Sequence, residues 1–299
     1  MGDPFVQVAG LGKRYERQWA VRNLSFDVGR GEIFGIIGPN GAGKTTTLKV
    51  LAGLLTPTEG RASVGGIGTE DPRHKHRIGY LPEDSALYED MTAVGYLRFF
   101  ARLYEVPRRT ADERIEDVLT RLSLDAWDDK KIGDMSKGMK RKVAIARTLI
   151  HDPEMVIYDE PASGLDPVVS AYVLDLVRDL RRRGKTVIFS AHNLYHVERI
   201  CDRVLILRRG QVVASGDMKD IRQATRGTQY VVTVSVPIEG AAPGEQGFET
   251  TVHDVAEVKG IEERALAAGG RLVDVRTKEL SLEEIFLRTT GPDAPAPGA

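Results

Sequence analysis

The chain has 299 residues, 41% apolar and 28% charged, enough for one large folded domain or a large one and a small one. A net charge of −1 removes the electrostatic case for nucleic acid as the main partner, and the single cysteine, Cys201, excludes an internal disulfide. Cys201 fits a reducing compartment, as a small buried hydrophobe beside Ile200 and Val204. No apolar run approaches the roughly 18–20 residues of a membrane span, and Met1-Gly2-Asp3-Pro4 lacks the basic and apolar regions of a signal peptide. Work at a membrane would therefore pass through a partner.

Residues 5–9 and 20–28 alternate apolar and polar side chains, which predicts half-exposed antiparallel strands with a loop at residues 11–15 between them. Residues 32–37 form a short apolar run that reads as a buried strand. It leads into Gly38-Pro39-Asn40-Gly41-Ala42-Gly43-Lys44-Thr45-Thr46, the pattern G-x-x-x-x-G-K-[ST]. A helix over residues 45–54 follows, with Leu48, Leu51 and Leu55 at helical spacing. The chemistry of this stretch is polyphosphate binding. Glycines at 38, 41 and 43 let the backbone form a nest of inward N–H groups, and the helix adds its positive end. Lys44 can reach the β- and γ-phosphates, and the Thr45 hydroxyl can hold Mg²⁺.

Residues 78–82 read as another buried strand, ending at proline. An all-helical insert over about residues 86–134 follows, with helices at 92–104 and 111–124 and with Thr92 and Thr110 as N-caps. Its charged residues, among them Arg108, Arg109, Asp112, Glu113 and Arg114, read as a solvated face. Ser136 sits at the N-cap position of a helix reaching about Ile150, a second anion-binding helix start. Strand and helix then alternate: strand 155–158, helix 168–182, strand 186–190, helix 194–200 and strand 204–207. The alternation predicts an α/β fold, a phosphate-loop NTPase core with a mostly parallel sheet, an antiparallel N-terminal β subdomain and the helical insert. After Gly216 the register changes. Strands at 230–236, 249–255 and 271–276, a loop at 237–247, and helices at 257–268 and 281–287 predict a small C-terminal α+β domain. The expected limits are residues 1–225 for the ATP-binding domain, 226–290 for the small domain and 291–299 for a disordered Pro/Ala tail.

The apolar strand Met155-Val156-Ile157-Tyr158 ends in Asp159-Glu160, and buried strands rarely end in adjacent carboxylates without a cation. In a phosphate-loop fold Asp159 would serve Mg²⁺ and Glu160 would polarise the attacking water. Ser163-Gly164-Leu165-Asp166 follows, and His192 lies just past the strand at 186–190.

Together these motifs resemble the ATP-binding subunit of an ABC transporter, over residues 5 to about 216 and in that family's order: phosphate loop, Gln-loop position, helical insert, signature, Asp-Glu strand, D-loop, switch histidine. The resemblance implies ATP and Mg²⁺ as ligands. It assigns phosphate and metal contacts to Gly38, Asn40, Gly41, Gly43, Lys44, Thr45, Thr46, Glu83 and Asp159. It implies that Tyr15 stacks on adenine, that Ser136 and Gly138 contact the γ-phosphate of ATP held by a second copy, that Asp166 organises the facing site and that His192 senses the γ-phosphate. Lys44, Glu160 and His192 are the catalytic residues it implies. The implied partners are a transmembrane permease subunit and a second copy in a head-to-tail homodimer, at the cytoplasmic face of a membrane. The homodimer would bury two ATP molecules.

Two departures stand out. Glu83 occupies the usual glutamine position, adding negative charge beside a triphosphate and unable to donate a hydrogen bond to water. The signature reads Met135-Ser136-Lys137-Gly138-Met139 in place of the commoner Leu-Ser-Gly-Gly-Gln, and Lys137 opposes the local helix dipole while suiting an ATP that faces it. Both variants, with Leu280-Ser281-Leu282-Glu283-Glu284-Ile285-Phe286-Leu287, resemble the branch that powers exporters of drugs, sodium ions, polysaccharides or lipids. Two other readings stay open: a soluble ABC-type ATPase acting on ribosomes or DNA, and a weakly hydrolysing regulatory subunit, suggested by Glu83. For the small domain, regulation, dimer contact and simple stabilisation are all open.

Overall fold

The N-terminal alternation folds as an antiparallel hairpin, β1 (Val6–Tyr15) and β2 (Gln18–Val28), burying Val6, Val8 and Leu11 against Val21, Leu24, Phe26 and Val28. The protein was described from a computed structural model, which describes residues 4–124, 130–191, 193–225 and 228–291. The loop expected at residues 11–15 is strand: β1 continues to Tyr15, which pairs with Gln18. Three register shifts between Val8 and Arg14 break the alternation there, so the segment lacks the period of a strand while keeping its pairing. β4 (Glu59–Val64) and β5 (Ile67–Gly68) complete this sheet in the order β2-β1-β4-β5.

The second sheet contains β3 (Ile33–Ile37), β6 (Ile78–Leu81), β7 (Met155–Tyr158), β8 (Thr186–Ser190), β9 (Arg203–Arg208) and β10 (Gln211–Gly216), in the order β10-β9-β3-β8-β7-β6. The pairs β3/β8, β3/β9, β7/β8 and β6/β7 are parallel. Every residue of β3, β7 and β8 is buried, as expected for strands covered on both faces. The mostly parallel sheet and the antiparallel subdomain are therefore as expected. Phe34 of β3 stacks on Phe26 of β2, joining the two sheets through one core with Leu48 and Leu51 of α1 (Lys44–Leu51).

In the insert, α2 (Ala93–Leu103) starts at Thr92, whose hydroxyl accepts from the Gly95 N–H. α3 (Arg108–Arg121) has its N-cap at Pro107, three residues before the expected Thr110, and the fixed φ of the proline prepares the helix start without any side-chain cap. Residues 125–129, part of the expected insert, lie outside the described residues. α4 (Lys137–Leu149) is capped by Ser136, and α5 (Pro167–Arg182) and α6 (Leu194–Ile200) complete the alternation. Cys201 lies against Gly35, and burial pushes its thiol well above the usual range.

The chain divides into two compact units between Ser215 and Gly216, which assigns α7 (Met218–Ala224) to the second. That unit holds β11 (Thr228–Val234), β12 (Ala242–Gly244), β13 (Gly247–Val252), α8 (Val255–Ala267), β14 (Leu272–Glu279) and α9 (Leu282–Thr290). Its antiparallel sheet, ordered β12-β13-β11-β14, packs Val232, Val234 and Val252 against Ile261 and Ala265. Two expectations change here. The loop at 237–247 contains β12, and the strand expected to reach Val255 ends at Val252, because Asp254 and Glu257 form a reciprocal capping box that starts α8. Residues 292–299 of the expected tail lie outside the described residues. Among the described residues no helix is long and apolar enough to cross a membrane.

The insert meets the sheet at a stacked pair, Tyr104 on His151, with ring centroids 3.8 Å apart and planes within 7°. His151 Nε2 donates to the Ile78 carbonyl at 2.8 Å. Burial, with His76 and Arg114 nearby, pushes the His151 pKa down to about 4, against the opposing pull of the carbonyl and Asp152. The folded pKa lies below the unfolded 6.5, so the unfolded chain binds the proton first and stability falls as pH drops through that interval. Urea unfolding midpoints should therefore fall from about pH 7 to about pH 5, with a shallower fall in His151→Gln. Equal slopes in the two proteins would contradict this assignment.

Candidate functional site

The strand order decides what can meet. β3, β8, β7 and β6 are adjacent and parallel, so the segments leaving their C-terminal ends emerge side by side. These segments are the glycine loop after β3, Ala191 and Asn193 after β8, Asp159-Glu160 after β7 and Pro82-Glu83 after β6.

Gly41 and Gly43 take φ of 77° and 103°, a region open to glycine. A Cβ on Gly43 would also lie 2.5 Å from Val21 Cγ1 and 2.7 Å from the Ala20 carbonyl oxygen, so no other residue fits at the start of α1. α1 has neither a side-chain cap nor an acid in its first turn, which leaves its positive end open to an anion. Lys44 is only 8% exposed, and its Nζ donates to the Gly38 carbonyl at 2.7 Å and the Pro39 carbonyl at 3.4 Å. Burial lowers the Lys44 pKa, while Glu160, Asp159 and Glu83 pull it upward. These four charged side chains thus share one electrostatic site. Thr45 and Thr46 are half-buried on the first turn of α1, and Asn40 is exposed on the loop.

Asp159 and Glu160 are both buried. The Ser190 hydroxyl at the end of β8 donates to Asp159 Oδ1 at 2.6 Å and accepts from the Glu160 N–H at 3.0 Å. Asp159 Oδ2 is buried and has no hydrogen-bond partner among the described residues, the condition of a carboxylate awaiting a cation. Glu160 has φ 49°, a left-handed conformation costing a non-glycine residue about 1–3 kcal/mol. Its N–H is held by Ser190, and its carbonyl accepts from Ser163 N–H and from Arg141 Nη2. The strain therefore sits on the side chain expected to meet water.

Arg141, from the middle of α4, is 9% exposed and makes five hydrogen bonds to backbone carbonyls. Its Nε donates to Pro161, Nη1 to Pro82 and Glu83, and Nη2 to Asp159 and Glu160. One guanidinium thus fixes the exit of β6, the exit of β7 and the start of the D-loop.

The signature and D-loop residues form a second group. The Ser136 hydroxyl accepts from the Met139 N–H, Gly138 lies against Val169, and Asp166 caps α5 by accepting from the Val169 N–H. No hydrogen bond or ion pair among the described residues joins this group to the glycine loop. Tyr15 stands apart at the end of β1, 45% exposed, with Lys13 Nζ 5.6 Å from its ring centre. His192 lies outside the described residues. Sequence reasoning missed Arg141 and Ser190. Arg141 lies in the run Lys140-Arg141-Lys142, which reads as a basic surface, and the only hint of Ser190 is a hydroxyl ending an apolar strand beside the acidic one.

The ABC transporter family profile matches residues 21–163. An uncharacterized ABC transporter ATP-binding protein of Bacillus subtilis, YxlF, is 34% identical over 95% of this chain and 98% of its own length. The chain belongs to the ATP-binding subunits of ABC transporters. A fluoroquinolones export ATP-binding protein of Mycobacterium tuberculosis is 34% identical over 97% of this chain and 95% of its own. A solved ATP-binding cassette, a dimer in a post-hydrolysis state with ADP and Pi, matches with a TM-score of 0.65 at 25% identity. That match covers 71% of this chain and 98% of the cassette. The glycine loop is accordingly the loop of an ATP-binding domain, and the chain is an ATPase.

Replacing Arg141 by Ala strands five carbonyls and should lower the unfolding free energy by about 3 kcal/mol or more. Arg141→Lys should recover little, because a point ammonium cannot reproduce a planar fork. Urea unfolding of the three proteins checks both statements.

Proposed function

We propose that this subunit works as a head-to-tail pair that closes on two Mg-ATP and drives a separate membrane permease from its cytoplasmic face. The observation that carries the reading is that no hydrogen bond or ion pair among the described residues joins the positive start of α4, with Ser136 and Gly138, to the phosphate loop of its own chain. A second copy supplies one. The related cassette solved as a dimer with ADP and Pi supports the pairing.

Within one copy the glycine loop cradles the triphosphate, and Lys44 exchanges the Gly38 and Pro39 carbonyls for phosphate oxygens. Tyr15 offers its exposed ring to adenine. Thr45, Asp159 Oδ2 and Glu83 would hold magnesium from this chain. The unpartnered, buried Asp159 Oδ2 suits an ion that takes few protein ligands and completes its shell with substrate oxygens. Bound there, magnesium would neutralise charge on the transferring phosphoryl group. Glu160, clamped by Ser190 and Arg141, orients and polarises the attacking water, and His192 is the residue assigned to sense the γ-phosphate. Asp166 completes the facing site from the partner copy. Because only the closed pair offers ATP both surfaces, ATP shifts an open–closed equilibrium and phosphate release reverses it. The insert and the Glu83 segment transmit that motion to the permease. Relatives named for drug export favour export as the direction.

Lys44→Ala should weaken Mg-ATP binding about tenfold or more, read by titration with a fluorescent nucleotide. Glu160→Gln, captured with Mg-ATP from solubilised membranes of its host, should bring down a multi-span membrane protein in stoichiometric amount. Recovery of only soluble proteins, ribosomes or DNA would contradict the membrane half of the reading.

A further inference from the structure

Lys137 stands where the family's commoner signature has glycine, and the structure gives its side chain a destination. It is the first residue of α4, beside the Ser136 cap, at the positive end of a helix with no acid in its first turn. Its neighbours are occupied: Lys140 pairs with Glu89 at 2.7 Å, and Lys142 donates to the Leu122 carbonyl at 2.8 Å. Lys137 makes no hydrogen bond or ion pair among the described residues. Instead its side chain extends over Gly164 in the D-loop of its own chain. A methyl group on Gly164 would lie 2.5 Å from the Lys137 ammonium nitrogen and 3.7 Å from Cε.

Ser163, Gly164 and Leu165 border a cavity of about 480 Å³ that also reaches Glu160, Ser170 and Asn193. The loop therefore has open space beside it and the Lys137 side chain against Gly164. Gly164 takes φ 64°, and the turn is closed by two internal bonds, Ser163 N–H to Glu160 O at 3.1 Å and a longer one, Leu165 N–H to Ala162 O, at 3.4 Å. An unpaired ammonium at a positive helix end is poorly placed unless an anion arrives there.

We infer that Lys137 is a positioning residue linking the two halves of the site: its side chain seats the D-loop of its own chain through Gly164, and a phosphate presented at the start of α4 draws the ammonium away and releases the loop toward the cavity. Through the turn from Glu160 to Ser163 the loop's position bears on the Glu160 carbonyl, so the arrival of a facing phosphate is felt at the chain's own catalytic carboxylate. The inference rests on the paired reading above for its second half only; the seating by Lys137 belongs to a single copy.

Hydrogen exchange of the nucleotide-free protein tests the first half. Lys137→Ala should speed exchange in peptides covering residues 160–167 while segments around Arg141 stay unchanged, and Lys137→Arg should restore protection. Steady-state kinetics tests the second half. Lys137→Ala should lower kcat about fivefold or more with the KM for Mg-ATP within about twofold, and Lys137→Arg should recover most of it. Unchanged exchange in Lys137→Ala overturns the inference. So does a kcat that stays at the wild-type value, or one that Lys137→Arg leaves as low as alanine does. If exchange responds as stated but Glu160→Gln stays monomeric in saturating Mg-ATP, the paired reading fails and the coupling to a facing phosphate falls with it.

Discussion

The arginine fork at position 141 is the constraint from which the rest of the site follows. Parallel strands deliver their ends to one edge of the sheet, but strand ends alone do not fix backbone carbonyls to within a hydrogen-bond length. One planar group with five donors does so here, spanning the exits of β6 and β7 and the first residue of the D-loop. It is anchored on α4, the helix whose first turn carries the signature. The signature, the Glu83 segment and the two acids are therefore tied to one rigid element. Burial lowers the pKa of the guanidinium, and Asp159 leads the charges that oppose that shift.

Around that frame the charges are arranged for a ligand rather than for each other. Lys44 spends its ammonium on two carbonyls of its own loop, close enough to Glu160, Asp159 and Glu83 to feel all three. Asp159 uses one oxygen on Ser190 and leaves the other bare. A buried carboxylate oxygen without a partner is costly unless something arrives to meet it. The start of α4 is the complementary case, positive potential that no acid in its first turn offsets. Each such helix end contributes roughly 0.3–2 kcal/mol toward an anion. A triphosphate between two copies meets both needs at once, so a single copy is naturally read as half of a working unit.

Much of this was legible in the chain, and what was legible shares a cause. The glycine loop and Asp159-Glu160 advertise themselves because each breaks a local rule: glycines where only positive φ fits, and acids at the end of an apolar strand. The parallel core followed from period and alternation. Arg141 and Ser190 were invisible because their roles depend on carbonyls and carboxylates distant in sequence, and neither violates anything locally. β1 was cut short because bulges erased its period while leaving its pairing. Thr110 failed as a cap because Pro107 had already set the helix. The capping box at Asp254 and Glu257 is spelled out in the sequence, and it ends the strand before Val255. Lys137 was visible as a departure, but its placement over Gly164 needed the fold.

The claim at the centre of this account is that each active site is assembled from two copies, and mixing two inactive variants tests it most directly. Lys44→Ala keeps an intact signature, and Ser136→Arg, at an exposed position, keeps an intact phosphate loop. Each alone should hydrolyse ATP at background, while an equimolar mixture should regain activity, because the mixed pair holds one site with both halves whole. A mixture as inactive as its components, with Ser136→Arg still binding Mg-ATP, would contradict the shared site.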